Sequence, residues 1–308
     1  FYWDAETQTS HNKSTNTVTV KESWFQSLDT SVAPTRNADG SIDMHGLLLL
    51  SAEGLAATDA GARGAVWGQA EAAKATFWVV GDSTVSPFND SYYLPREGYG
   101  EELENYFNAN VYNLAVSGAS SKDFTGMANY TTLLKGSDTV PALGDAAGDK
   151  FLLIGFGHND EKTEPARYTN PNGDYKTEGS FANSLYVNYI QPALERGVIP
   201  VVCTPIARLT EANNKASYDG ASGHKTTTVT IGDAVYEGGD YAQAIRDMCS
   251  ELHLICVDLT DATINENIAM GKKAQYTHSF TGAKADKRGK LSPTGLDLTH
   301  TNSYGAKL

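Results

Sequence analysis

Four short strings carry the residue types that acyl transfer needs: Gly81-Asp82-Ser83-Thr84, Ser117-Gly118-Ala119-Ser120, Gly157-His158-Asn159-Asp160 and Asp297-Leu298-Thr299-His300. A serine hydroxyl is a poor nucleophile until a base takes its proton. Ser83 is the candidate nucleophile and His300 the candidate base. Asp297, three residues before His300, can orient the imidazole and stabilise its charged form when both sit on one turn. The tetrahedral intermediate needs donors aimed at its oxyanion. The backbone N–H of Ser83, the N–H of Gly118, which has no side chain in the way, and the side-chain amide of Asn159 are candidates. Asp82 and Asp160 are candidates for support, Asp82 by bonding loop N–H groups and Asp160 likewise or by holding Asn159. Taken singly, each string is ordinary. A Gly-Asp-Ser run arises by chance, Asn159 alone reads as a turn former, and His300 alone as a surface histidine. Their joint order and their places along the chain carry the argument.

Those places follow from the hydrophobic pattern. Apolar β-type runs alternate with helical spacing from Ala75 onward. Strands are predicted at 76–80, 111–116, 150–156, 199–203 and 254–259, and helices at 99–107, 181–196 and 241–252. Continuous apolar strands separated by helices indicate a parallel sheet covered on both faces, a doubly wound α/β sandwich. In such sheets ligands sit beyond the carboxyl ends of the strands. The first three strings follow the first three strands. Residues 1–74 differ: they are polar, then Ala- and Gly-rich, with one alternating run at Thr17-Val18-Thr19-Val20, a turn signal at Asn37-Ala38-Asp39-Gly40 and a candidate helix over 66–74.

The chain has 308 residues, 40% of them apolar, enough to build a core. Its 24 basic and 37 acidic residues give a formal charge of −13. That field repels polyanions, and no Lys/Arg run is present, which argues against nucleic acid as a partner. No apolar run approaches the length of a membrane span. The three cysteines read as buried thiols, Cys203 and Cys256 in strands and Cys249 in a helix, with at most one bridge among them. The other histidines show no metal-ligand spacing, and no calcium-loop run of carboxylates occurs. The acidic composition, with 16 Tyr, fits a secreted protein. Phe1-Tyr2-Trp3-Asp4 lacks the basic and apolar regions of a signal peptide, so the sequence reads as a mature form or a trimmed one.

The four strings together resemble the SGNH, or GDSL-type, hydrolase superfamily, whose letters denote the residues matched here by Ser83, Gly118, Asn159 and His300. The resemblance covers about residues 75–308 and implies a three-layer, flavodoxin-like sandwich with a five-stranded parallel sheet. Residues 1–74 are then an N-terminal extension or a partial accessory module. Further strings narrow the resemblance. Gly81-Asp82-Ser83-Thr84, Phe156-Gly157-His158-Asn159-Asp160, Thr204-Pro205-Ile206-Ala207-Arg208, Gly239-Asp240-Tyr241, Val257-Asp258-Leu259-Thr260 and Thr299-His300-Thr301-Asn302-Ser303-Tyr304-Gly305-Ala306 are similar to carbohydrate esterase family 12. That family includes rhamnogalacturonan acetylesterases and some acetylxylan esterases. It implies a secreted serine esterase, without cofactor or metal, that deacetylates plant cell-wall polysaccharides. Two features depart from the family. Ala119 stands where Arg commonly follows the second-string glycine, and Ser303–Leu308 suffices only to begin the terminal helix of family members.

Substrate expectations follow from charge and aromatics. Rhamnogalacturonan is a polyanion, so a protein of charge −13 needs a local basic patch to meet it. Lys122, Lys162, Arg167 and Arg208 are the candidates; acetylated xylan makes no such demand. Phe88, Tyr92, Tyr93, Tyr99, Tyr168 and Tyr175 are candidates for a sugar-stacking rim, or for core and loop anchors. Two other readings stay open: an SGNH esterase of small or lipid esters, and a catalytically silent carbohydrate-binding module. A glycosidase would need two carboxylates flanking a sugar. Asp82 and Asp160 are the pair to test for that.

Overall fold

The structure, a computed structural model, describes residues 74–89, 96–107, 109–212, 215–217, 220–271, 274, 277–280 and 297–308, together with short strand segments elsewhere. Five apolar segments form its central sheet: β1 Ala75–Gly81, β2 Ala109–Asn113, β3 Lys150–Gly155, β4 Ile199–Cys203 and β5 Ile255–Val257. All neighbours pair in parallel, in the order β5-β4-β3-β1-β2. This is the flavodoxin-like order with helices on both faces, as the sequence predicts. The order reverses between β1 and β3, the place where sheets of this kind bind their ligands, beyond the carboxyl ends of the strands.

Central strands are buried on both faces, which is why β1 and β3 read as unbroken apolar runs. Trp78, Val80, Leu152, Ile154 and Val202 meet Phe181, Leu185, Tyr189 and Ile245 on one face of the sheet. Phe77, Val79, Leu153 and Cys203 face the other, against Tyr99, Leu103 and Leu259. The edge is different. Ile255 is 50% exposed and Cys256 is exposed, because no strand pairs beyond β5 among the described residues. The expectation of a buried Cys256 is therefore corrected, while Cys203 and Cys249 are buried free thiols.

Four of the six named helices begin where short polar side chains accept orphan N–H groups. Here α1 is Leu103–Tyr106, α2 Ala128–Lys135, α3 the run from Phe181–Leu185 through Tyr186–Ile190 to Gln191–Glu195, α4 Tyr241–Leu252, α5 Leu259–Met270 and α6 Ser303–Lys307. Ser180 caps α3, Asp240 α4, Asp258 α5 and Asn302 α6. The Asp258 cap ends β5 sooner than predicted and turns Leu259 into the first residue of a helix. The helix predicted over 99–107 is a 3-10 turn, Tyr99–Glu101, followed by the single turn of α1. The middle of α3 is a π turn. Pro192 has no N–H for the Asn188 carbonyl, and the Tyr130 hydroxyl donates to that carbonyl instead, at 3.0 Å.

An antiparallel pair, β6 His278–Phe280 and β7 Asp297–Thr301, carries the last string of the sequence. In the N-terminal region, Tyr2–Asp4, Thr9–Asn12 and Thr17–Thr19 form a three-stranded antiparallel sheet, and Thr35–Arg36 pairs with Ile42–Asp43. The predicted helix over 66–74 and the turn at Asn37-Ala38-Asp39-Gly40 lie outside the described residues, Lys74 excepted.

Candidate active site

Adjacent strands bring the first three strings together. Because β1 lies between β2 and β3, the loops after them share one end of the sheet. The nucleophile loop is sewn to both neighbours: Asp82 N–H donates to Gly155 O at 3.2 Å, and Val116 N–H to Gly81 O at 3.0 Å. Gly81 has to be glycine here, since a Cβ would lie 2.5 Å from Gly155 O.

Ser83 and His300 are 217 residues apart in sequence, yet His300 Nε2 lies 2.9 Å from Ser83 Oγ. His300 Nδ1 lies 2.9 Å from Asp297 Oδ2, so the carboxylate accepts the Nδ1–H hydrogen bond and leaves Nε2 as the acceptor for the serine. Asp297 Oδ1 also accepts the N–H groups of Thr299 and His300, which holds carboxylate and imidazole on one turn. Phe88 sets its ring edge-on to the His300 ring at 6.3 Å.

Arg96 completes this arrangement, and sequence reasoning missed it. Its Nε donates to Asp297 Oδ2 at 2.8 Å, and both side chains are largely buried. Burial alone would raise the Asp297 carboxyl. The His300 hydrogen bond, the His300 charge and the Arg96 guanidinium outweigh it and hold the group far below the usual carboxylate range. No sequence pattern links residues so far apart. Next to Arg96, Glu97 N–H donates to Thr301 O at 2.9 Å and Thr301 Oγ1 donates to Glu97 O at 2.7 Å, clamping β7. From the other side Leu209 N–H donates to Leu298 O at 2.9 Å. The loop after β4 thus helps to hold the base in position.

The three oxyanion candidates face no competing protein acceptor. Among the described hydrogen bonds, none uses the backbone N–H of Ser83 or Gly118. Gly118 has φ +87°, a conformation glycine takes without strain. Asn159 Nδ2 is buried with no protein partner. A buried donor left unpaired costs stability, and an incoming oxyanion would satisfy it.

Asp82 and Asp160 are both fully buried and bonded to loops. Asp82 Oδ1 accepts from Thr84 N and Oγ1 at 2.9 and 2.8 Å, and Oδ2 from His158 N at 3.2 Å. Asp160 Oδ1 accepts from Ser121 Oγ at 2.6 Å and Thr169 Oγ1 at 3.0 Å, and Ser121 N–H reaches both oxygens. Burial raises both carboxyls against these hydrogen bonds, Asp160 to about 7. They strap loops together and do not flank an open cleft as a glycosidase pair would. His158 is buried as well, with its ring edge-on to His224 at 4.6 Å, and burial with the nearby cations drives its pKa well down.

The expected rim is corrected in part. Phe88 and Tyr168 are buried, Tyr99 packs into the core, Tyr168 lies against Tyr236 and Tyr175 against Tyr186, so these rings anchor loops. Tyr92 and Tyr93 lie outside the described residues. Of the expected basic patch, Arg208 is paired with Glu161 and also donates to the His158 and Gly223 carbonyls. Lys122 reaches Pro165 O at 2.8 Å, Lys162 is exposed, and Arg167 lies against Gly118 and Asn159.

The chain is similar to known proteins. The sequence is 27% identical over 233 residues to the Bacillus subtilis (strain 168) protein named "Probable rhamnogalacturonan acetylesterase YesY", covering 71% of this chain and 91% of the relative. A solved structure, the Bacillus subtilis protein YXIM, aligns with a TM-score of 0.49 at 18% identity, over 77% of this chain and 54% of the other, so the chain spans about half of that protein. Residues 78–308 match the family described as GDSL-like Lipase/Acylhydrolase. With three quarters of its length inside that match, and with Ser83, Gly118 and Asn159 on the loops after the sheet strands and His300 on β7, this chain belongs to the GDSL-like lipase/acylhydrolase family, as a carboxylic ester hydrolase.

Proposed function

We propose that this esterase removes acetyl groups from plant cell-wall polysaccharides, acting first on the pectic backbone rhamnogalacturonan. The observation that carries the chemistry is the unbroken hydrogen-bonded line from Ser83 Oγ through His300 to Asp297. The substrate class is supported by the relative named as a rhamnogalacturonan acetylesterase, nearly all of whose length this chain covers. A polysaccharide substrate, too large and polar to cross a membrane, carries with it an extracellular location.

In the first step Ser83 Oγ attacks the acetyl carbonyl while its proton passes to His300 Nε2. Asp297 stabilises the imidazolium that forms. The N–H groups of Ser83 and Gly118 and the Asn159 amide receive the oxyanion; one such donor is typically worth roughly 3–4 kcal/mol in the transition state. The intermediate collapses as His300 returns the proton to the departing sugar hydroxyl, leaving acetyl-Ser83. Water, deprotonated by His300, then attacks that ester, and as the bond to Ser83 Oγ breaks His300 returns the proton to the serine and acetate is released.

The test is acetate release from acetylated rhamnogalacturonan and acetylated xylan side by side, with Ser83→Ala as control. Release from the pectic polymer, lost in the variant, is the expected result. Release from xylan alone transfers the substrate to that polymer. Hydrolysis of a small aryl acetate with neither polymer cleaved removes the carbohydrate assignment, and hydrolysis surviving in Ser83→Ala removes the nucleophile.

A further inference from the structure

A carboxamide is a poor oxyanion donor unless something decides which way round it sits. Its oxygen and nitrogen ends are nearly the same shape, and a half-turn about the last side-chain bond would aim Oδ1 at the developing negative charge. The Asn159 Nδ2 end is buried and unpartnered, so it cannot fix the choice. The other end can. Arg167 Nη1 lies 3.3 Å from Asn159 Oδ1 and 3.4 Å from Gly118 O. A guanidinium has donors only and no acceptor, so the atom facing it must be the amide oxygen.

Arg167 is itself held. Its Nη2 donates to Glu164 Oε1 at 2.6 Å, and its N–H closes a turn onto Glu164 O at 2.9 Å. With one nitrogen tethered, the other bridges the loop after β2 to the loop after β3, the two loops that supply Gly118 and Asn159. We propose that Arg167 is a positioning residue of the oxyanion hole, locking the Asn159 amide with Nδ2 towards the reacting carbonyl and fixing the spacing of the two donors. The proposal rests on the reading of Ser83, Gly118 and Asn159 given above.

Its competitor is a surface arginine that binds an acidic polymer and leaves chemistry alone. The two differ in kinetics on a neutral substrate. The experiment measures kcat and KM for a neutral aryl acetate with wild type, Arg167→Gln, Arg167→Lys, Asn159→Ala and the Asn159→Ala/Arg167→Gln double variant, each checked for an unchanged Tm. Arg167→Gln is expected to lower kcat roughly 10- to 100-fold with KM within about threefold, a part of what losing a whole oxyanion donor costs. Arg167→Lys keeps the charge but not the two-nitrogen span, and is expected to fall at least about threefold. In the Asn159→Ala background Arg167→Gln should cost little more, since the group it positions is gone.

Wild-type kcat in both Arg167 variants, a change confined to KM for acidic polymer, or a full multiplicative loss in the double variant would each overturn the proposal. The parent reading fails by a separate sign, hydrolysis that persists in Ser83→Ala.

Discussion

The carboxylate of Asp82 joins the nucleophile loop to the oxyanion loop through a single contact, its Oδ2 accepting the backbone N–H of His158 at 3.2 Å. Ser83 follows Asp82 and Asn159 follows His158, so this contact sets the separation of nucleophile and amide donor. Asp82→Ala leaves buried N–H groups of Thr84 and His158 without acceptors, at about 1–3 kcal/mol each. The expected outcome is a Tm lower by several degrees together with a loss of kcat, read by calorimetry and aryl acetate hydrolysis on the same sample. A Tm at the wild-type value would show that the contact carries no strain-bearing role.

Arg96 is a cation set directly against the Asp297 carboxylate, on the same oxygen that faces the His300 ring. Removing one partner of a buried pair leaves its charge uncompensated. Arg96→Gln is expected to lower kcat about tenfold, through a less firmly held Asp297, with KM unchanged. The Thr299 and His300 N–H bonds to Asp297 keep the loss short of that for Asp297→Ala. Steady-state kinetics of the two variants side by side decide the order.

Asp160 gives the fold a pH dependence of definite sign. Its folded-state pKa is raised from an ordinary carboxylate value to about 7 because burial disfavours the charge. Between about pH 4 and 7 the folded protein therefore keeps a proton that the unfolded chain has released, and stability falls as pH rises through that window. The loss is on the order of 4 kcal/mol. Asp160→Asn keeps an acceptor for Ser121 Oγ and Thr169 Oγ1 and removes the titrating group. Urea midpoints across the window should slope in wild type and flatten in the variant.

The parts legible in the sequence share a physical cause. Ile199–Cys203 and Tyr241–Leu252 were readable to the residue, since β4 is an apolar run starting after a Gly and α4 carries one apolar stripe behind an Asp cap. The helix α5 was missed because its apolar residues are spread round the axis, and its first residue, Leu259, reads equally well as the end of a strand. The short α2 has two threonines at its centre, which weakens any helical signal. Of the site, Ser83, Gly118, Asn159, Asp297 and His300 were legible because the chemistry restricts residue type. Arg96 was not, because an arginine serving a carboxylate 201 positions away looks like any surface arginine. Arg167 was legible as charge but not as the partner of Asn159.

The two halves of the site arise from different parts of the molecule. Ser83, Gly118 and Asn159 rest on the central sheet, whereas Asp297 and His300 ride on the two-stranded β6–β7 pair, held by Arg96, Glu97 and Leu209. A pair of strands is a marginal structure by itself, and it opens more readily than a five-stranded core. Catalysis is thus a more fragile property than the fold: on warming, ester hydrolysis should fade while far-ultraviolet circular dichroism is still native. It should return on cooling as fast as one hairpin re-docks. Coincident loss of both signals would show that β6–β7 melts only with the whole.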